Sequence, residues 1–436
     1  SPSARLPVSF QQAQMITYQL ASPHSVLYNM PSMIPLPRGT SREAVRESLR
    51  KLVIRHALLR THYTMEDGQL WQIILPSDGF EIPMVGIDSI MHGAFDMLAA
   101  PPVRAYMHVR GEGHAVLVLN MHHVITDHQS NPILVRDVLA LLDGKDMAPL
   151  ELQYADYALW QGQCCSEERV SSHLSWWREH LLKVPPCISL PLDAPRPTIQ
   201  GNEGARAIRF EIGSAAAAQL HALCRAEGST MNVGLLAMWG AYMAWLSGDD
   251  EVVIAQAHSL RSDERLLEVV GYFHAVMPLV YAADNRSSAA RGIHAMHEEL
   301  LDVMQRTEHF SFDAIVDAVG WQGTLAHNPL AQTSLTYHTV DTIAEDRAAY
   351  VSAEAQPEIT ASEVGGFHES AEEVQARELK ISFDLAVYFS DRSDGALQGS
   401  LGYDGTLFTE DTAHRMVARL GLLVCAAVQS PHLALD

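Results

Sequence analysis

The stretch Met121-His122-His123-Val124-Ile125-Thr126-Asp127-His128 sets imidazoles and a carboxylate side by side. With an ordinary pKa near about 6.5, an imidazole accepts a proton around neutral pH. An amine attacking a thioester needs that service: its lone pair must be oriented and one of its protons removed. One histidine of the His122-His123 pair suffices as the base. Asp127, four residues after His123, would orient its surroundings through a buried ion pair with an arginine, without joining the proton transfer. Taken alone, the string is equally compatible with two half-buried histidines beside a strand. What surrounds it therefore matters.

The apolar run from His114 to Met121 (HAVLVLNM) reads as a buried strand that delivers the pair to a loop, and a strand end is a rigid place for a base. Residues 42–60 repeat apolar side chains at helical spacing, so the first lobe, residues 1–183, mixes α and β. Residues 184–204 carry five prolines and two glycines, which resist regular structure and suit an extended connection between lobes. The second lobe, 205–436, resumes the same rhythm: helices near 215–227, 233–246 and 412–428, strands near 252–257 and 276–281. Within it, residues 339–378 are acidic and alanine-rich, broken by Gly365-Gly366 and without apolar period, as expected of a mobile or crossing loop.

Bulk properties narrow the function. A chain of 436 residues exceeds what one core usually organises, which predicts two lobes. With 52 acidic against 30 basic side chains, the net charge of -22 has the wrong sign for nucleic acid. The longest uncharged apolar run, 233–246, is too short for a bilayer, and no signal peptide opens the chain, so no membrane role is expected. Five cysteines, an odd number, fit a reducing cytoplasm better than a disulfide framework. Neither a metal-ligand spacing nor a glycine-rich phosphate fingerprint occurs, so no metal and no bound cofactor is expected.

The segment MHHVITDH resembles the HHxxxDG signature of nonribosomal peptide synthetase condensation domains, shared more loosely with chloramphenicol acetyltransferase. Further matches follow in the family's order. Residues 6–15 (LPVSFQQAQM) resemble its opening segment, 55–61 (RHALLRT) its "RHxxLRT", and 154–161 (YADYALWQ) its "YxDYAxWQ". Residues 190–197 (LPLDAPRP), 270–273 (VGYF), 308–313 (EHFSFD) and 327–330 (HNPL) resemble later ones. Each is weak, but their order across nearly the whole chain is jointly specific. The resemblance implies an α/β (α+β) fold of two chloramphenicol-acetyltransferase-like lobes, arranged as a V-shaped pseudo-dimer with a central substrate tunnel. Donor and acceptor carrier domains would dock at its two mouths. Their phosphopantetheine arms would act as substrate tethers, and no cofactor would be bound. His123 matches the family's catalytic histidine, with His122 and Asp127 in support. Arg55 or Arg60 is a candidate partner for Asp127, and Arg261 is a further arginine that the family pattern places near the cleft.

The chain departs from the family at two places. His128 stands where the family has glycine, a residue that lets backbone approach a substrate. It could narrow the tunnel, supply another proton acceptor, or point into the lobe. His274-Ala275 stands in place of Val-Asn, so His274 and Ala275 are candidate tunnel residues. These departures motivate a rival reading, a condensation-like recruitment module that docks a tailoring oxygenase onto a carrier-bound amino acid. Epimerisation is disfavoured because HQSNPIL after Asp127 lacks the expected tryptophan, and heterocyclisation because that family has aspartate at position 122. The expected molecule is a cytoplasmic acyltransferase, monomeric when excised from a longer synthetase, with an adjacent adenylation domain as a further candidate partner.

Overall fold

The structure, a computed structural model, describes residues 5–26, 28–109, 113–164, 167–198, 204–283, 288–307, 312–321, 326–339 and 383–433. It is mixed α/β and divides into two compact units. Among the described residues, the first unit comprises those up to Glu167 together with Ser259–His274; the second comprises Glu168–His258 and those from Ala275 on. The proline-rich connection expected at 184–204 thus falls inside the second unit. Residues 259–274, expected in the second lobe, belong to the first because Arg261 and Phe273 bond to Asp127. Beyond Thr339, the loop expected at 339–378 lies outside the described residues.

In the first unit the described elements run β1 (Arg5–Pro7), α1 (Phe10–Ala21), β2 (Asn29–Leu36), α2 (Arg42–Arg55), β3 (Thr61–Glu66), β4 (Gln69–Ile74), α3 (Ile87–His92), β5 (Val103–Val109), β6 (Ala115–His122), α4 (Ser130–Leu142) and α5 (Tyr154–Cys164). Two antiparallel sheets form, β1-β4-β3 and β2-β6-β5. Every residue of β6 is buried, as befits the middle strand of a sheet covered on both faces. Its pairing with β2 ends at Asn29 opposite His122, and the chain then turns through a short 3-10 helix, His123–Ile125. Helix α1 starts with a capping box: Ser9 accepts the Gln12 N–H while the Gln12 side chain accepts the Ser9 N–H. The helical spacing of 42–60 breaks into α2 and a 3-10 turn, Ala57–Arg60.

The second unit holds, with the boundary residues Ser259 and His274 of the first at two strand ends, a six-stranded sheet in the order β7-β12-β11-β10-β8-β9, with β7 (Ala205–Ile212), β8 (Glu251–Ser259), β9 (His274–Ala282), β10 (Thr333–His338), β11 (Leu385–Asp391) and β12 (Leu397–Asp404). Helices α6 (Glu167–His180), α7 (Ser214–Ala226), α8 (Met231–Ser247), α9 (Ala289–Thr307), α10 (Phe312–Val319) and α11 (Glu410–Gln429) accompany it. Helix α8 is apolar almost all round, and Val233 through Ala244 are buried at the centre of the core. It stops at Gly248, whose φ of 75° is the left-handed end that glycine takes without strain. Arg196 of the proline-rich stretch grips Asp384 with both terminal nitrogens, at 2.9 and 2.5 Å.

Candidate functional site

The two histidines differ in what their nitrogens do. His122, at the end of β6, is completely buried. Its Nδ1 accepts the Val124 N–H at 3.1 Å, so Nε2 carries the hydrogen and donates to Gln19 Oε1 at 3.2 Å. Burial, reinforced by His123 beside it, pushes its pKa down to about 3. His122 is therefore a neutral structural strut with no nitrogen left for chemistry. One residue on, the His123 N–H is tied to the Tyr28 carbonyl at 2.8 Å, and its Nδ1 lies 2.7 Å from the Thr126 carbonyl oxygen. A carbonyl only accepts, so Nδ1 holds the hydrogen and Nε2 keeps its lone pair. Half-buried rather than enclosed, His123 is oriented by that bond, with Nε2 outside it.

Asp127 fixes the loop from beneath. Burial would raise its pKa, but the Arg261 guanidinium, then His274 and the Ser130 donors, hold it below the ordinary carboxylate range. Arg261 Nη2 lies 3.0 and 3.1 Å from its two oxygens. The Ser130 N–H, the Ser130 hydroxyl and the Phe273 N–H also donate to it, at 2.7, 2.6 and 3.2 Å. Arg261 Nη1 donates to the Leu266 and Val269 carbonyls, and the guanidinium sits 4.1 Å over the Phe273 ring. Every oxygen of Asp127 is thus occupied, which suits a group that positions and does not titrate.

Neither of the two candidate arginines for Asp127 reaches it; Arg261, expected only near the cleft, does. Arg55 instead bonds Asp137 at 2.9 Å and the Ala148 carbonyl, because α2 packs along α4 and meets the carboxylate two turns into that helix. Arg60 bonds the Val53 and Leu75 carbonyls and closes its own turn. His128 is exposed, which corrects the option of its pointing into the lobe. Ala275 is buried and belongs to the second unit. His274 comes to the site: its ring centroid lies 6.3 Å from that of His123, and Tyr272 packs edge-on against His123 at 4.8 Å.

Several residues of this arrangement escaped the sequence reading. Tyr154 anchors the segment that leads into β9 by donating to the Tyr272 carbonyl at 2.7 Å, while its oxygen also meets Ser9 Oγ at 2.8 Å. Gly271 has to be glycine, since a Cβ there would run into the Tyr154 ring. Both stand inside segments that resemble the family's, 154–161 and 270–273, which is the signal the chain offers for them. Ser130 carried a weaker one, three residues after Asp127, and Gln19, in the last turn of α1, carried none. Among the described residues no His/Cys/Asp/Glu group is arranged to hold a metal ion, and no helix is long and apolar enough to cross a membrane.

A family model described as condensation domain matches residues 3–436. The chain is 27% identical over 456 residues to the phosphinothricin tripeptide synthetase PhsC of Streptomyces viridochromogenes, a match covering 98% of this chain and 39% of that protein. It spans less than half the length of the first curated relatives it matches. Among solved structures, a four-domain nonribosomal peptide synthetase bound to AMP and glycine is similar with a TM-score of 0.81 at 21% identity, covering 100% of this chain and 34% of that one. The X-domain from teicoplanin biosynthesis is similar with a TM-score of 0.80 at 20% identity, covering 100% and 97%.

Proposed function

Since the chain belongs to the condensation-domain family, we propose that it is the condensation domain of a nonribosomal peptide synthetase and transfers a carrier-bound acyl or aminoacyl thioester to the amine of a carrier-bound acceptor. The observation that carries this reading is the tautomer of His123: Nδ1–H spent on the Thr126 carbonyl, Nε2 left as base. The amine nitrogen attacks the thioester carbonyl while Nε2 takes one of its protons. The tetrahedral intermediate then expels the thiolate, which recovers that proton from His123, leaving an amide and a free thiol. The phosphopantetheine arms of donor and acceptor carrier domains would supply the two reactants, and holding them together provides much of the acceleration. An adjacent adenylation domain would load the acceptor. Mixing the protein with a donor-loaded and an acceptor-loaded carrier should yield the elongated thioester. A His123→Ala variant that matched the parent under single-turnover conditions would overturn the proposed base.

A second reading draws on His128, exposed where the family has glycine, and on the teicoplanin X-domain, which has been solved in complex with OxyB. As a recruitment module the protein would hold a tailoring oxygenase in a stable complex and transfer no acyl group. Gel filtration with candidate oxygenases separates the two readings, and failure to bind any removes the support for recruitment.

A further inference from the structure

His274 offers ring nitrogens that the protein leaves unused. Among the described residues neither of them makes a protein hydrogen bond, and His123 spends only Nδ1. Tyr272 organises both rings: it lies edge-on to His123 at 4.8 Å and parallel to His274, at 9° with centroids 6.3 Å apart. Four charged or titratable groups act on His274. Asp127 favours its protonated form, while His123, His128 and Arg261 oppose it; burial, the largest influence, brings its pKa down to about 4. The ring is thus a neutral imidazole around neutral pH and has one lone pair to offer.

We propose that His274 is the second acceptor for the attacking nucleophile, holding one N–H of a neutral primary amine while His123 Nε2 takes the other, so that this site selects primary over secondary amines. The proposal rests on the condensation reading. A nitrogen that donates two hydrogen bonds of about 2.9 Å in tetrahedral directions holds its acceptors about 4.7 Å apart. Imidazoles whose centroids are 6.3 Å apart can present nitrogens at that spacing. The protons balance. As the C–N bond forms and the C–S bond breaks, the hydrogen on His123 passes to the thiolate sulfur; the hydrogen held by His274 stays behind as the amide N–H. A secondary amine has one hydrogen to give and uses its lone pair in the attack, so it leaves His274 without a donor and forfeits that hydrogen bond.

The test compares kcat/KM for acceptor carriers loaded with glycine and with N-methylglycine. The parent should favour glycine. In His274→Val the ratio should fall about ten-fold, the worth of one hydrogen bond, through loss of the glycine reaction, with N-methylglycine transfer retained as proof of an intact fold. His274→Gln, which keeps an acceptor, should stay near the parent ratio. An unchanged ratio in His274→Val, or an equal loss for both acceptors, overturns the role of His274 and leaves the condensation reading standing. If the parent elongates neither acceptor while both carriers are verified as loaded, the condensation reading itself fails, and this one with it.

Discussion

Two buried carboxylates in the first unit invite comparison, Asp127 and Asp137. Both are essentially inaccessible, and both are paired with arginine. Around Asp137 gather Arg55, Arg136 and His56, the last with Nε2 at 2.8 Å from the carboxylate. His56 is only 1% exposed, and its Nδ1 is buried with no partner among the described residues. Around Asp127 the guanidinium, a serine and the backbone do the bonding, and the nearby imidazoles of His123 and His274 are only half-buried. Both regions hold Arg, His and Asp, yet only one can do acid-base work. A histidine serves as a base where its lone pair is reachable, not merely where a carboxylate stands beside it.

The largest expected effect tests that contrast directly. His123→Ala should lower single-turnover transfer by about 10²- to 10⁴-fold, whereas His56→Gln, where folded, should turn over near the parent rate. If folded His56→Gln lost as much, the roles of the two regions would be reversed. Next comes stability. Asp127→Ala strands Arg261, which is 2% exposed, and should cost about 3–5 kcal/mol, partly recovered by adding Arg261→Met. Asp137→Ala should cost less, about 2 kcal/mol, because Arg136 is half exposed and can turn to water and Arg55 keeps the Ala148 carbonyl, which leaves His56 as the partner stranded. Urea unfolding of the variants measures both, and equal losses would erase the distinction.

Acid should act through the struts. His122 has a folded pKa of about 3 against about 6.5 when unfolded. Above about pH 6.5 it is neutral in both states and its contribution is complete; below that the unfolded chain binds a proton the folded chain refuses. Stability should therefore fall by about 2 kcal/mol between pH 7 and pH 5 from this group alone. His274 and His56, also depressed, steepen the fall. A His122→Gln variant should show a visibly shallower dependence; an identical slope would mean that His122 is charged in the fold. The smallest effect belongs to the surface pair Arg136–Glu268, about half exposed on each side, where a double-mutant cycle should give a coupling below about 1 kcal/mol.

Much of this was legible in the chain, and unevenly so. The strand into the histidines, the buried helix at 233–246 and the final helix follow from apolar period alone and appear as β6, α8 and α11. Local patterns also put His122, His123 and Asp127 in one loop. What the sequence could not say was which arginine crosses to Asp127: Arg55 and Arg60 sit in a motif, but α2 carries Arg55 to Asp137, and only a three-dimensional return of the chain brings Arg261 in. The division of labour between His122 and His123 was hidden for a similar reason. It is decided by a glutamine side chain and a carbonyl, Gln19 and Thr126, whose proximity no spacing rule encodes.

That the first unit borrows residues 259–274 has a consequence for biosynthesis. When the ribosome has released residues 1–167, the nascent chain already holds the strand, both histidines and Asp127, but the guanidinium destined for that carboxylate is not yet made. The HHxxxD loop must wait, solvated, until Arg261 emerges. Vectorial folding therefore completes the HHxxxD loop only after α6, β7, α7, α8 and β8 have been translated, and a truncated product ending before position 261 would expose an unmatched anion where the finished protein keeps a sealed pair.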